Sequence, residues 1–314
     1  MIAVLAGGVG AARFLRGLVR VIPPSDVTVI GNTGDDIDIY GVHVSPDLDI
    51  VTFMLAGVLD EQRQFGITGD THTLMDELAA TGHDTWFTLG DRDYAVCLAR
   101  TLMMEEGLPL HEATARICAR FGLEIALLPM TDDLVFTTVR VRGPEGEADV
   151  HFQEYWVRHR AGLPALGVTL EGGSDARPAP GVLDAIASAE AVIVAPSNPV
   201  VSIGTILSVP GIRDALRATR APVVGVSPIV GGAVVRGMAD KLLPVVGADV
   251  SARGVAGLYR DFLNGFVIDV VDGGARDEIE RLGPVVETTQ TMMHTPEDAA
   301  ALAKATLALA ERAR

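Results

Sequence analysis

Lysine and cysteine are nearly missing from this chain, and no long apolar run occurs in it. Of the 25 basic residues only Lys241 and Lys304 are lysines, a skew toward arginine that reports a GC-rich genome rather than a mechanism. Against 41 acidic residues these bases leave a formal net charge of −16. No Lys/Arg surplus remains to displace phosphate counterions, which argues against general nucleic-acid binding. An anionic ligand must then be met by backbone N–H groups, a few placed arginines and a metal. The two cysteines, Cys97 and Cys118, lack CxxC spacing and fall in predicted helices, so a buried reduced pair in a cytoplasmic protein is expected. Met1 leads directly into Ile2-Ala-Val-Leu-Ala6 with no basic segment, so no secretory leader is expected. No apolar run reaches the ~18 residues of a spanning helix, so no membrane partner is expected.

Several catalytic signatures are missing too. The 7 histidines are scattered without metal-ligand spacing, and no G-x-S-x-G elbow occurs, which disfavours zinc hydrolysis and serine catalysis. No Gly-Lys-Ser/Thr follows the first glycine turn, so it is not a P-loop.

What is present is an α/β pattern. With 314 residues, 48% of them hydrophobic, the chain can hold one large α/β domain or a core with a smaller appendage. Residues 2–6 read as a strand, 7–10 as a glycine turn, 11–21 as a helix stopped by Pro23-Pro24, and 27–30 as a second strand. Such a βαβ unit calls for a parallel sheet. Ala191–Ala195, Pro222–Val226 and Gly265–Asp269 are further apolar runs; the first two end in Gly/Pro/Ser loops, as strands covered on both faces do. Residues 52–128 instead carry helical patterns (Thr73–Ala80, Arg92–Glu106, Leu110–Phe121) and read as a helical insertion. The core then comprises 1–51 and 129–314. Leu134–Arg142 and Ala148–Val157 alternate around Gly143-Pro-Glu-Gly146 and predict an antiparallel hairpin. The stretch from Pro296 onward predicts a C-terminal helix.

The chemistry concentrates in residues 31–49, where Asp35, Asp36, Asp38, Asp47 and Asp49 follow the second strand. Two carboxylates ~5 Å apart repel by roughly 3 kcal/mol at an effective dielectric near 20. A divalent cation removes that penalty; the plain alternative is that Asp35 and Asp36 cap a helix and Asp47 follows a turn proline. Magnesium takes one or two carboxylates plus water and phosphate oxygens. Asp36 and Asp49 are the first choice, with Asp35 and Asp47 in reserve. The turn Gly7-Gly8-Val9-Gly10 fits phosphate at a helix N-terminus or a tight structural turn. It lacks the third glycine and the ribose acid of a nicotinamide site, for Arg13, Gly31 and Asn32 occupy those places. Gly90-Asp-Arg-Asp93 is either a solvated helix start or a site where Arg92 orients a polar ligand. The loops Pro196–Pro199 and Ser227–Gly232 sit at strand ends, where ligands dock on open α/β sheets.

Together these segments resemble the 2-phospho-L-lactate transferase family of deazaflavin coenzyme F-420 biosynthesis. The likeness runs through Ala6–Gly10, Asn32–Asp36, Ser45–Asp49, Leu89–Asp93, Leu128–Asp133, His151–Trp156, Ala195–Gly204, Val226–Gly232 and Gly254–Leu263. The resemblance implies a Rossmann-like core with a small helical subdomain, and a homodimer. It also implies magnesium-dependent transfer of a phospho-acid from a GDP-linked lactate or enolpyruvate donor to the ribityl hydroxyl of a hydroxy-deazaflavin riboside, releasing GMP. By the same resemblance Asp49, Arg92 and Asn32 face the deazaflavin, and Asp36 and Asp49 the metal. Gly7, Gly8, Gly10, Ser197, Asn198 and Ser227 then face the nucleotide. Asp49 or Asp35 is expected to take the hydroxyl proton. Ile50 departs from the Thr common among relatives, which bears on packing near the acceptor. The rival reading is a nucleotide-sugar-binding regulator of the same superfamily, which has no need of the acid cluster.

Overall fold

The computed structural model describes all 314 residues. The chain opens with β1 (Ile2–Ala6), α1 (Gly8–Leu18), β2 (Val27–Gly31), the short hairpin β3 (Ile37–Ile39) and β4 (Val42–Val44), and α2 (Pro46–Leu55). Next come α3 (Thr73–Ala80), α4 (Asp91–Glu105), α5 (Leu110–Arg120), β5 (Ala126–Pro129), β6 (Phe136–Gly143), β7 (Gly146–His151) and β8 (Ala165–Glu171). The last half holds α6 (Val182–Ser188), β9 (Ala191–Val194), α7 (Ile203–Ser208), α8 (Ile212–Ala218) and β10 (Val223–Val226). It continues with β11 (Ile229–Val230), β12 (Ala233–Val234), α9 (Ala239–Leu242), α10 (Ala252–Tyr259), β13 (Gly265–Asp269), α11 (Arg276–Glu280), β14 (Val285–Thr289) and α12 (Pro296–Arg312).

Seven strands form one parallel sheet in the order β14-β13-β10-β9-β1-β2-β5. Alternate residues of β1 serve opposite faces. Val4 and Ala6 pack with Phe14, Leu15 and Leu302 of α1 and α12, while Ala3 and Leu5 pack into the larger core on the other side. Both faces are therefore covered, and the strands read as unbroken apolar runs. The strand order reverses beside β1, so the loops after β1 and β9 diverge there and open a crevice at the carboxyl ends.

Three boundaries differ from the sequence expectation. Helix α2 (Pro46–Leu55) runs across the expected start of the helical insertion at 52, and β5 already pairs with β2 from Ala126, ahead of its expected end at 128. Helix α1 begins at Gly8 rather than Ala11, so the glycine turn is its first turn. Strand β7 stops at His151, and Glu154–Arg158 winds as a π-helical turn. Phe152 and Tyr155 are buried three residues apart there, a helical interval that overrides the apparent alternation. The antiparallel unit has a third strand, β8, beside β6. Cys97 and Cys118 are buried and unpaired, and no helix is long and apolar enough to cross a membrane.

At the end of β13, Asp269 ties down the chain that passes the crevice. Its carboxylate accepts from the N–H and hydroxyl of Thr291 at 2.8 and 2.9 Å and from the Val271 N–H at 3.1 Å. Burial alone would raise its pKa, but these donors hold it below the usual 3.8. A carboxylate with a depressed folded pKa stabilises the protein above the unfolded pKa and loses that contribution as pH falls through the folded one. Asp269→Ala is expected to cost about 2 kcal/mol at pH 7. In urea unfolding the gap to wild type should narrow only below about pH 4.

Candidate functional site

A single cavity of about 460 Å³ lies at the carboxyl ends of β1, β9 and β10, within the range of small-molecule sites. Gly7, Gly8, Gly10, Ser197, Asn198 and Ser227 all line it. Ser197 Oγ accepts from the Gly7 N–H at 3.1 Å, pinning the loop after β9 against the glycine turn. Gly8 holds φ +72°, and a Cβ on Gly7 would meet Asp47 Oδ2 at 2.5 Å, so neither position accommodates a side chain. The first turn of α1 lines the cavity; Gly7 offers it no side-chain cap, and the Asp47 carboxylate lies against the Gly8 N–H. Asn198 and Ser227 spend their side-chain oxygens on their own loops, Asn198 accepting from Val200 N–H at 2.9 Å and Ser227 Oγ donating to Ile229 O at 2.9 Å.

The aspartates divide into two sets. Asp35 and Asp47 both line the cavity. Burial, reinforced by the charge of Asp47, pushes Asp35 well above the usual carboxylate range. Burial likewise pushes Asp47 up to about 7. Asp35 Oδ1 is buried with no hydrogen-bond partner. Asp36, in contrast, turns away from the cavity: its Oδ2 accepts from Ser45 Oγ at 2.6 Å and faces His43 Nε2 at 3.1 Å. Asp38 lies on the outer side of the same histidine, at 2.7 Å from Nδ1.

Asn32 also differs from expectation. It is fully buried and does not line the cavity. Its Nδ2 donates to Asp47 Oδ2 at 2.9 Å and to Val201 O at 3.2 Å. Its Oδ1 accepts from Gly34 N–H at 2.9 Å and Thr205 Oγ1 at 2.6 Å. With every polar atom engaged, Asn32 orients Asp47 rather than a ligand.

Asp49 lines the cavity but is held by Arg100 of α4, whose two terminal nitrogens donate to its two oxygens. Arg100 is 1% exposed and also donates to His43 O, so it locks α4 onto α2 and the β3–β4 hairpin. Asp49, Asp93 and Cys97 could together offer ligand atoms within 4.8 Å of one another. That cluster is a poor cation site: the guanidinium already occupies Asp49, and burial raises the Cys97 thiol well above its usual range. Arg92 is exposed on the first turn of α4 and does not line the cavity. Asp93, beside it in sequence, does.

Sequence reasoning missed Asp93, Arg100, Arg13 and Arg236. Asp93, Cys97 and Arg100 are the buried residues of α4, spaced i, i+4, i+7, so charged residues on an otherwise inward stripe were a legible signal. Arg13 and Arg236 both line the cavity and neither has a carboxylate within ion-pair range. Burial and the charge of Arg13 together lower the pKa of Arg236. Two adjacent cations left unpaired in so acidic a chain mark the place of an anion. Phe65, Trp86, Phe87 and Trp156 also line the cavity, with the Trp86 and Phe87 rings edge to face at 5.6 Å.

Comparison with known proteins places the chain in a family. The profile of the family described as 2-phospho-L-lactate transferase CofD matches residues 2–310. A phosphoenolpyruvate transferase of Streptomyces griseus subsp. griseus is 50% identical over 315 residues, covering 100% of this chain and 99% of the relative. One from Mycolicibacterium smegmatis is 42% identical, covering 98% of each. The crystal structure of a UPF0052 family member from Bacillus halodurans shares the fold, with a TM-score of 0.63 at 15% identity over 98% of both chains. This chain belongs to the 2-phospho-L-lactate transferase CofD family.

Proposed function

We propose that the protein moves a phospholactyl or phosphoenolpyruvyl group from a GDP-linked donor to the ribityl hydroxyl of a hydroxy-deazaflavin riboside, a step of coenzyme F-420 biosynthesis. The hydroxyl oxygen attacks the acid-bearing phosphorus, the bond to the guanylyl phosphate breaks, and GMP leaves. One observation carries the reading: a single cavity is lined by a glycine-turn helix start, a pair of buried aspartates and four aromatic side chains. A simple nucleotide binder has no use for the middle of these three.

Phosphoryl transfer needs positioning and charge neutralisation more than covalent chemistry. The α1 amides would hold phosphate oxygens, and Arg13 with Arg236 would hold the remaining negative charge of the donor. The donor set fits magnesium through Asp35 and Asp47 better than through Asp36 and Asp49. Asp35 and Asp36 each keep one unpartnered buried oxygen, but only Asp35 lines the cavity, where Asp47 stands beside it, and both oxygens of Asp49 are held by Arg100. Bound there, magnesium would supply neutralisation of the diphosphate oxygens and of charge building on the leaving phosphate. Of the two acids expected to take the hydroxyl proton, Asp35 is the less encumbered, because both oxygens of Asp49 accept from Arg100. The aromatic side chains would stack the tricyclic ring of the acceptor.

The test is to incubate the protein with deazaflavin riboside, magnesium and each GDP-linked acid in turn. The expected result is one GMP released per deazaflavin that gains the phospho-acid mass, with one donor preferred. No mass gain with any donor would refute the proposal.

A further inference from the structure

We propose that Asp93 is a substrate-contacting carboxyl that pairs with a hydrogen-bond donor of the acceptor, a hydroxyl or ring N–H. The assignment rests on the transferase reading above and assigns to it a contact at the aromatic end of the cavity. Three observations carry it. Asp93 is 6% exposed, yet it is a cavity-lining residue, so what little surface it keeps opens inward. No donor of the protein serves its carboxyl; Asp70, which caps α4, takes only the backbone N–H of Asp93, at 3.0 Å. The neighbouring acid, Asp49, is matched by Arg100, so Asp93 is the surplus acid of this group.

Buried polar groups without partners are rare, because each forfeits its hydration for nothing. The Asp93 carboxyl escapes that cost only by opening to the cavity, so what enters the cavity supplies the donor the protein does not. Its surroundings say what that is. Oδ2 of Asp93 lies 3.5 Å from the point where a Cβ on Gly66 would stand, against the loop that also carries Phe65. Trp86, Phe87 and Trp156 line the same cavity. A flat ring stacked on these side chains would present its polar edge or its hydroxylated chain to the carboxyl. An anionic group would be repelled, because Arg100 offsets only one of the two acids. Asp93 thus selects an uncharged, donor-bearing acceptor and leaves the phosphates to the glycine end.

The competing role is structural: Asp93 stands in the first turn of α4, where a negative charge suits the helix dipole. Ligand affinity separates the two. Full-length wild type, Asp93→Leu and Asp93→Asn are titrated with deazaflavin riboside, read by quenching of tryptophan fluorescence, and separately with GDP. Asp93→Leu should bind the riboside roughly tenfold or more weakly, with Asp93→Asn between, and GDP affinity should stay within about twofold. A deazaflavin carrying methyl in place of the ribityl chain locates the donor. An equal loss places it on the ring, and no loss places it on the chain; either supports the contact. Riboside affinity unchanged in Asp93→Leu would overturn the assignment, and so would parallel loss of riboside and GDP, which marks a structural role. Wild type that fails to bind the riboside would refute the acceptor reading itself and this contact with it.

Discussion

Asp47→Asn is expected to lower turnover by a factor of roughly 10³ while the protein stays folded. Asp47 projects from the first turn of α2 to the glycine turn, and it shares the cavity floor with Asp35. Asparagine preserves size and can still accept from Asn32, so the local scaffold survives. What would be lost is one of the two carboxylates proposed to hold magnesium. Two buried carboxylates without a cation repel each other, so removing one charge should leave the metal-free protein at least as stable as wild type. Magnesium should raise the melting temperature of wild type and not of Asp47→Asn. Asp36→Asn is the contrast: its carboxylate faces Ser45 and His43 outside the cavity, so the magnesium response should persist.

Arg100→Leu carries the largest stability cost, about 3–5 kcal/mol in urea unfolding at pH 7. The guanidinium is buried, makes both hydrogen bonds to Asp49 and one to His43 O, and its loss strands a buried carboxylate. Asp49→Asn should recover part of the loss when combined with Arg100→Leu, because the double variant buries no unpaired charge. An additive double variant would show that Asp49 does not depend on Arg100.

These residues also mark where sequence reading reached and where it stopped. The strands were legible because a sheet covered on both faces demands unbroken apolar runs, and β1, β9, β10 and β13 all show them. The C-terminal helix announced itself by Pro296 and the Ala/Leu-rich stretch after it, and the structure adds the Thr295 side chain, which caps Asp298 N–H at 3.1 Å. The glycine turn and the polar loops at strand ends were legible for the same reason, being local chemistry with few conformations open to it. The facing of each aspartate was not. Asp47 is aimed by Asn32, and Asn32 is aimed by Val201 and Thr205, about 170 positions along the chain. No window around residues 31–49 contains that information. The sequence and the family resemblance both point to Arg92 in Gly90–Asp93, although the inward stripe of α4 passes through Asp93 and Arg100 and leaves Arg92 outside. The alternation at 148–157 misled because burial of Phe152 and Tyr155 follows a helical interval.

The central claim is that Asp35 and Asp47 together hold the cation that a diphosphate donor requires. Manganese, a spectroscopic substitute for magnesium, tests it by electron paramagnetic resonance titration in the presence of GDP. One manganese per chain is predicted for wild type and for Asp36→Asn, with affinity falling at least about 30-fold in Asp35→Asn and in Asp47→Asn. Equal affinity in all four proteins, or a loss confined to Asp36→Asn, would contradict the account.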